Sequence, residues 1–295
     1  MARLSLQELN AADEPKFVAA LADVFEHAPW VAQLVAGQRP FTAVAALQEA
    51  MSAAVNNLPP EKKLDLILAH PDLAGKAARA GAMTDHSKAE QSSAGLDRLS
   101  DRQFEAFEQL NQAYRSKFGF PFIVCVRRHT KRSILHQFEQ RLKNECGKEA
   151  DTAVAEICRI AALRLDERVA ASDRLKVHGH LSTHVLDTFA GHPAAGVAVS
   201  LIELADEGEE RLIVRGVTNR DGRTDRPLIA ERPIPIGGYE LRFDIGDYFA
   251  RSSVQVPDPP FLGVVPVRFG VAEPEGRYHV PLLVTPWSYS TYRGS

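Results

Sequence analysis

The sequence predicts two domains of different fold class: an all-α helical bundle at the N-terminus and an all-β sandwich at the C-terminus. Residues 1–170 contain only 6 of the 19 glycines and 7 of the 18 prolines, and they are rich in Ala, Leu, Glu, Gln and Lys, which is the composition of helices. From about residue 180 onward, 13 glycines and 11 prolines separate short runs rich in Val, Ile and Leu. A chain of 295 residues is long enough for two domains.

Three segments of the N-terminal half have the periodicity of amphipathic helices. Ser100 followed by Gln103 is the pattern of a helix-capping box. Apolar residues then recur at spacings of three and four, which places them on one helix face: Phe104, Phe107, Leu110, Tyr114 and Phe118. The pattern recurs at Ile134, Leu135, Phe138 and Leu142, and again at Val154, Ile157, Ala161 and Leu165. Several packed helices are therefore expected.

The C-terminal half contains five short apolar runs whose spacing is typical of an antiparallel β-sandwich. They are VAVSLIEL (197–204), RLIVRGV (211–217), YELRFDI (239–245), FLGVVPVRFGV (261–271) and YHVPLLVT (278–285). Residues 171–180, ASDRLKVHGH, are polar and lack sustained periodicity, so they are predicted to form a linker. This assigns residues 1–170 to the helical domain and 181–295 to the β domain.

Charge and composition exclude several classes of partner. Thirty-five Lys and Arg residues against 38 Asp and Glu give a net charge of −3, so there is no basic surplus to neutralise nucleic-acid phosphates. No apolar stretch approaches the roughly 18 residues needed to cross a bilayer, and the N-terminus lacks the apolar core of a signal peptide. Cys125, Cys146 and Cys158 cannot form a complete disulfide framework. We therefore expect a cytoplasmic protein that binds neither nucleic acid nor membranes.

Three polar residues of the helical half are candidates for a site. Pro71 disfavours helical backbone at the preceding residue, so a helix is expected to end near His70; capping or packing there is the commoner role of such a histidine. Glu90 lies in a Ser-rich segment, and composition alone predicts a solvated surface side chain. Arg164 lies seven residues after Ile157 on an apolar helix face. Its guanidinium therefore requires an anion, either a structural carboxylate or a substrate carboxylate.

Five ordered motifs stand out in this half: HAPW (27–30), HPDLAG (70–75), EQSSAGL (90–96), FGFPFIVCVR (118–127) and IAALRL (160–165). Together they resemble the 2-oxo-4-hydroxy-4-carboxy-5-ureidoimidazoline (OHCU) decarboxylases of urate degradation, over about residues 10–170. The resemblance implies a helical bundle that forms homodimers and needs no metal or organic cofactor. It implies catalytic roles for His70, Glu90 and Arg164. The substrate contacts that it implies are Pro71, Ser87, Phe122 and Ile123.

These residue types suit the decarboxylation. Loss of CO₂ from a carbon beside the imidazoline C=N leaves a carbanion whose charge spreads into the ring, so no electron-sink cofactor is obligatory. By the resemblance, Arg164 would hold an anionic or carbonyl group of the substrate. His70 and Glu90 would orient the hydroxyl and ureido groups and manage the proton, which gives one enantiomer of allantoin. Which of the two delivers that proton stays open.

Histidines of the C-terminal half indicate a second candidate site. His178, His180 and His184 have equal parity, so in an extended chain they would point to one side and could share a zinc ion, although this half contains no cysteine. His279 lies in the alternating run at 278–285, and Arg223 follows an Asp-Gly pair typical of a turn. On these patterns alone, both are expected to be surface side chains.

Three motifs follow one another in this half: LSTHVLDTFAGHPAAGVAV (181–199), TNRDGR (218–223) and YHVPLLVTPWSYSTYRGS (278–295). They resemble the transthyretin-related 5-hydroxyisourate (HIU) hydrolases, and the final YRGS separates these from the hormone-carrying transthyretins. The resemblance implies a transthyretin-like sandwich and a homotetramer with active sites at a subunit interface. The catalytic residues that it implies are His184, Arg223, His279 and Ser295, and the pocket-shaping residues are Tyr292, Arg293 and Gly294. One histidine would take a proton from water, and Arg223 would hold the developing oxyanion.

The HIU hydrolases make the compound that the OHCU decarboxylases consume, so the two resemblances predict consecutive steps. The expected function is a bifunctional, cofactor-free and metal-free enzyme of urate degradation that converts 5-hydroxyisourate through OHCU to (S)-allantoin. Covalent linkage would raise the local concentration of the labile intermediate. Two alternatives remain: a transthyretin-like small-molecule binding protein, and an HIU hydrolase whose helical half is only a scaffold. The charged set in the β half argues against the first, because a carrier of hydrophobic ligands would line its channel with apolar residues.

Overall fold

The structure, a computed structural model, describes residues 3–74, 84–205 and 208–294. Its contacts group into two compact units. The helical unit comprises residues 1–127 and 133–177, and the β unit comprises residues 128–132 and 178–295. The predicted fold class, helical in the N-terminal part and β in the C-terminal part, is confirmed.

The helical unit is built mainly from nine described α-helices. They are α1 (Leu6–Ala11), α2 (Glu14–Leu21), α3 (Trp30–Ala36), α4 (Val44–Asn56), α5 (Pro60–Leu68), α6 (Asp85–Ser93), α7 (Asp101–Phe118), α8 (Lys131–Arg141) and α9 (Cys146–Arg168). Two short parallel strands, β1 (Leu4–Ser5) and β2 (Val169–Ala170), pair next to the ends of α1 and α9. Among the described helices, none combines the length and the apolar character needed to cross a membrane.

The ends of the helices follow local sequence signals. The capping box predicted at Ser100 is confirmed: its Oγ accepts from the Gln103 N–H at 3.2 Å, and the Gln103 side chain accepts from the Ser100 N–H at 3.1 Å. Helix α5 ends at Leu68, because Pro71 disfavours helical backbone at His70. Helix α6 begins after Thr84, whose hydroxyl accepts from the Ser87 N–H at 3.2 Å.

The predicted apolar faces of α7, α8 and α9 pack into the core of the helical unit. Phe107, Tyr114 and Phe118 are buried, as are Ile134 and Phe138, and Val154, Ile157, Ala161 and Leu165. The Phe122 ring stacks on Phe138 with 3.7 Å between centroids, and it meets the edge of Tyr114 at 5.2 Å. This aromatic cluster holds the segment after α7 against the helices.

The β unit contains eleven described strands and one short helix. The strands are β3 (Gly179–Ser182), β4 (Val185–Asp187), β5 (His192–Pro193), β6 (Ala198–Leu204), β7 (Glu210–Val217), β8 (Ile229–Arg232), β9 (Gly237–Asp244), β10 (Val264–Val271), β11 (Arg277–His279), β12 (Leu282–Val284) and β13 (Tyr289–Thr291). The helix, α10 (Ile245–Ala250), follows β9 directly. The sheets have the strand orders β10-β9-β6-β7, β11-β3-β8 and β13-β12-β4-β5.

The strand arrangement differs from a wholly antiparallel sandwich in two pairs. β11 runs parallel to β3, and β12 runs parallel to β4, because these strands are far apart in sequence and no hairpin constrains their direction. The run 278–285 also forms two strands rather than one. Pro281 lies between them and has no N–H to donate to a ladder. The parallel pairing brings the segment around His184 next to the segment around His279.

Candidate active sites

A cavity with an empty volume of about 410 Å³, including its open mouth, lies in the helical unit. Its walls come from the end of α5, from α6, from the stretch 122–126 and from α9. All seven residues that the sequence assigned to this site line it: His70, Pro71, Ser87, Glu90, Phe122, Ile123 and Arg164. The fold therefore brings together side chains that are widely separated in the chain.

His70 is a buried imidazole with one ring nitrogen occupied by the protein. The residue is only 9% exposed, and its Nδ1 lies 2.9 Å from the Leu66 carbonyl oxygen of α5. Since a carbonyl can only accept, Nδ1 donates the proton, which leaves Nε2 as the nitrogen available in the cavity. Burial lowers the pKa of His70 below its ordinary value, and this effect outweighs the hydrogen bond to Leu66, which raises it. His70 is therefore a neutral imidazole at neutral pH.

Arg164 is held by two glutamates. Its Nε and Nη2 donate to Glu90 Oε1 and Oε2 at 2.8 and 2.9 Å, a bidentate pair, and its Nη1 donates to Glu26 Oε2 at 2.6 Å. The Arg164 side chain is 4% exposed. Burial alone would lower the pKa of Arg164, but the hydrogen bonds and charges of the two carboxylates outweigh burial and raise it. The composition-based expectation of a solvated Glu90 is wrong, because Glu90 lies on α6 facing Arg164.

Glu26, which sequence reasoning missed, is the most enclosed carboxylate of the site. Its side chain is 2% exposed, and its Oε1 accepts from Thr84 Oγ1 at 2.6 Å and from Ser87 Oγ at 3.0 Å. Burial raises the pKa of Glu26, but the donors Thr84, Arg164 and Ser87 more than compensate, so it lies below its usual range. The available signal was its position directly before the HAPW motif, at the end of a stretch of buried apolar residues.

The wall formed by Phe122 and Ile123 rests on a second buried arginine. Arg141 donates from Nη1 to the Ile123 carbonyl at 2.6 Å, and its guanidinium lies 4.5 Å from the centre of the Phe122 ring. Glu149 balances this charge by accepting from Arg141 Nε at 2.7 Å. Tyr114 also donates a short hydrogen bond to Glu149. This network fixes the backbone at Phe122 and Ile123.

The β unit brings His184 and His279 into direct contact. His184 Nδ1 lies 2.6 Å from His279 Nε2, and the two ring planes are nearly parallel, at 19°, with 4.8 Å between centroids. Ser182 Oγ lies 2.9 Å from His279 Nδ1, since the parallel register pairs Ser182 of β3 with His279 of β11. Burial lowers the pKa of both histidines, and the positive charge of Arg223 lowers each further. The expectation of His279 as a plain surface residue is wrong.

A tight turn places Arg223 beside this pair. Arg223 forms an isolated antiparallel bridge with His184, and the preceding Gly222 has a φ of +70°. A Cβ at Gly222 would lie 2.3 Å from the Val185 carbonyl oxygen, so only glycine fits. The Arg223 side chain is exposed, and its charge acts on both imidazoles.

Residues of the C-terminal tail make different contacts with the β unit. The Gly294 N–H donates to the His279 carbonyl at 2.9 Å. The Arg293 guanidinium lies 5.3 Å from the centre of the Tyr278 ring, whereas Tyr292 is 54% exposed. Ser295 lies outside the described residues.

The zinc arrangement considered for His178, His180 and His184 is not formed. Within the described ranges, no group of three or more His, Cys, Asp or Glu side chains is placed to hold a metal ion. His184 turns its Nδ1 to His279 instead.

Comparisons with known proteins match each unit separately and the chain as a whole. The family model for OHCU decarboxylase matches residues 10–166, and the model for the HIUase/Transthyretin family matches residues 181–294. The chain is 44% identical over 173 residues to a 2-oxo-4-hydroxy-4-carboxy-5-ureidoimidazoline decarboxylase of Halalkalicoccus jeotgali, covering 59% of this chain and 96% of that protein. It is 54% identical over 117 residues to a 5-hydroxyisourate hydrolase of Halalkalibacterium halodurans, covering 40% of this chain and 98% of that protein.

One solved structure spans both units. A crystal structure of (S)-allantoin synthase matches with a TM-score of 0.53 and 34% identity, covering 99% of this chain and 100% of that one.

Proposed function

Because the chain belongs to the OHCU decarboxylase family over residues 10–166 and to the HIUase/transthyretin family over residues 181–294, it is a bifunctional enzyme of urate degradation, and we propose that the two residue sets described above catalyse its two steps. The β unit hydrolyses 5-hydroxyisourate to OHCU, and the helical unit decarboxylates OHCU to (S)-allantoin. The main support for the residue assignment is that the seven helical-unit candidates line a single cavity.

In the decarboxylase site, Arg164 binds an anionic or carbonyl group of OHCU in exchange for part of its pairing with Glu90. His70 is neutral and offers Nε2 as an acceptor, so it orients the substrate hydroxyl. When the bond to the carboxylate breaks, CO₂ leaves and the electron pair passes into the ring C=N. His70 and Glu90 manage the proton that then adds to one face of this carbon, which gives one enantiomer.

In the hydrolase site, we assign the role of base to His184. A hydrogen bond to the Ser182 backbone raises the pKa of His279, as expected if His279 Nδ1 carries a proton and donates it to Ser182, whose Oγ also lies 2.9 Å from this nitrogen. In the neutral pair, His279 Nε2 is then an acceptor and His184 Nδ1 the donor. This leaves the lone pair of His184 Nε2 to take the proton from water, while Arg223 stabilises the oxyanion that forms on the ring carbonyl. Ser295 completes the proposed set.

The decarboxylase assignment is tested with freshly prepared 5-hydroxyisourate and chiral analysis of the allantoin formed. Wild type is expected to give (S)-allantoin in excess. His70→Ala and Arg164→Ala should give racemic allantoin at the spontaneous rate while HIU loss, followed in the ultraviolet, stays unchanged. His136→Ala, at an exposed histidine of α8, is the matched control. Enantioselective decarboxylation by His70→Ala at the wild-type rate would instead support a scaffold role for the helical unit.

The hydrolase assignment is tested with the same substrate. His184→Ala should slow HIU loss toward the spontaneous rate, and His192→Ala, at an exposed histidine of the same unit, should not. A wild-type protein that leaves the spontaneous rate of HIU loss unchanged would support the binding-protein alternative. Removal of the last four residues should abolish hydrolysis and spare decarboxylation. Normal hydrolysis by the shortened chain would show that the last four residues are not part of the hydrolase site.

We also infer a homo-oligomer, with dimeric helical units and tetrameric β units, on the basis of the two families. Exposed aromatic side chains of the β unit support this: Phe189, Trp287, Tyr289 and Tyr292. Light scattering on a sizing column would test it, and a monomer at micromolar concentration would contradict it. Cys146 and Cys158 are free thiols, which fits a cytoplasmic location.

A further inference from the structure

We propose that Glu26 is a positioning residue of the decarboxylase site: it is the permanent carboxylate partner of Arg164 and ties that guanidinium to the start of α6, so that Glu90 is free to turn to the substrate. The inference rests on the proposed function of the helical unit, and it concerns a residue that does not line the cavity itself.

The contacts of Glu26 connect α9 with the start of α6. One oxygen accepts from Arg164 of α9 at 2.6 Å. The other accepts from Thr84 at 2.6 Å and from Ser87 at 3.0 Å. Thr84 is the N-cap of α6, the helix that carries both Ser87 and Glu90. Glu26 therefore sets the distance between Arg164 and the beginning of the helix that presents the substrate-facing side chains.

The two carboxylates on Arg164 differ in how firmly they are held. Glu26 is 2% exposed and accepts from three different side chains. Glu90 is 15% exposed, and the hydrogen bonds described for its carboxylate all come from Arg164. Glu90 also lines the cavity. It is therefore the partner that can be exchanged, and Glu26 is the one that stays.

This division matters because a buried charge cannot be left alone. Arg164 is only 4% exposed, and removing the sole partner of a buried ion is strongly destabilising. If Glu90 were that sole partner, any movement of its carboxylate to the substrate would strand the guanidinium. With Glu26 in place, one positive charge faces two carboxylates, so Glu90 can leave while Arg164 keeps a counterion and its orientation.

The other ionisable groups near this cluster do not replace Glu26. Asp23 offers Arg164 only its backbone carbonyl, at 3.4 Å, because its carboxylate pairs with Arg168 and His86. His27 Nε2 lies 3.9 Å from Glu26 Oε1 and is 61% exposed. His70 lines the cavity, and the charge of Glu26 raises its pKa whereas the charge of Arg164 lowers it.

The test compares Glu26→Gln with Glu26→Asp in the full chain, with Glu105→Gln, an exposed glutamate of α7, as the control. The steady-state rate of OHCU decarboxylation is measured across pH, and HIU hydrolysis and circular dichroism are recorded for every variant. We expect Glu26→Gln to lower kcat by about 10- to 100-fold, as loss of a supporting partner does.

The pH profile separates positioning from a purely structural role. Glu26→Gln removes a negative charge that raises the pKa of His70, which favours the neutral imidazole, so the profile should move to lower pH by about one unit. Glu26→Asp keeps the negative charge on a shorter side chain, so it should lower kcat without moving the pH profile of decarboxylation. Glu105→Gln should change neither.

Two results would overturn the proposal: a wild-type kcat and profile for Glu26→Gln, or equal losses in both variants with no movement of either profile. If Glu26→Gln does not fold, Glu26→Asp decides, and a wild-type kcat for it would contradict the proposal. A wild-type enzyme that does not accelerate decarboxylation would instead overturn the proposed function on which the inference rests.

Discussion

The histidines of both candidate sites are neutral imidazoles at neutral pH. Burial lowers the pKa of His70, His184 and His279, and positive charge from a neighbouring arginine lowers each further. A neutral imidazole has one donor and one acceptor nitrogen, so the protein contact on one nitrogen determines what the other can do. In His70 that contact is the Leu66 carbonyl. The lowered pKa keeps these imidazoles deprotonated at neutral pH, so that the proposed base, His184, is able to accept a proton from water.

The pH dependence of HIU hydrolysis follows from this. The ordinary pKa of histidine is 6.5, and that of His184 is lower. His184 therefore stays deprotonated when the pH falls to 6.5, and hydrolysis should be lost only when the pH falls below the lowered pKa. Arg223 contributes to the lowering, so Arg223→Gln should raise both histidine pKa values and move the acid limb to higher pH. NMR titration of the imidazole protons measures this independently of turnover. Unchanged titration curves in Arg223→Gln would show that Arg223 does not act on the pair.

Gly294 offers a second test at the scale of one residue. A Cβ at this position would lie 2.7 Å from His279 Cδ2, so a methyl group must shift either the imidazole or the end of the tail. Because displacement of a reacting group by about 1 Å can cost roughly 100-fold, Gly294→Ala should reduce hydrolysis on that scale. Decarboxylation serves as the internal control and should be unaffected. Wild-type hydrolysis by Gly294→Ala would mean that the packing of Gly294 against His279 is not required.

At the scale of elements, local signals predicted the helices better than the strand pairing. The Ser100 capping box and the end of α5 before Pro71 depend on neighbours in sequence, so periodicity and capping rules could find them. The parallel pairing of β3 with β11 depends on residues about a hundred positions apart, and no local pattern encodes it. The contact between Ser182 and His279 was missed for this reason.

The cap itself has a measurable contribution to stability. Ser100→Ala removes the acceptor for the Gln103 N–H and leaves a donor at the start of α7 without its side-chain partner. The free energy of unfolding should fall by about 1 kcal/mol, the usual contribution of an N-cap. Urea denaturation followed by circular dichroism measures it, with both activities retained in the folded variant. No change in the denaturation midpoint would indicate that solvent replaces the cap fully.

At the scale of the whole molecule, each of the two candidate residue sets, as far as it is described, belongs to one unit of the chain. The helical-unit set lines a cavity whose walls all come from residues 70–164, and the histidine pair belongs to residues 178–295. Sequence motifs could predict this partition because each set belongs to its own family. They could not reveal Glu26, whose role depends on a contact with Arg164 across 138 positions.

A complementation experiment tests this partition. An equimolar mixture of Arg164→Ala and His184→Ala chains contains one intact site of each kind, so it should convert 5-hydroxyisourate to (S)-allantoin. Because OHCU must diffuse between sites on different molecules, we expect a longer lag before allantoin forms than with wild type at the same site concentration. Racemic allantoin from the mixture would show that each site needs the other intact in its own chain.

The bidentate hydrogen bonds between Glu90 and Arg164 affect which molecules can bind in the cavity and how the product leaves it. A carboxylic acid that enters meets a guanidinium already occupied by an internal competitor, so simple anions such as acetate should be poor inhibitors. In the proposed mechanism, OHCU displaces that competitor because its ring and ureido group add contacts that acetate lacks. Allantoin has lost the carboxylate, so in this mechanism Glu90 returns to the guanidinium and favours departure of the product.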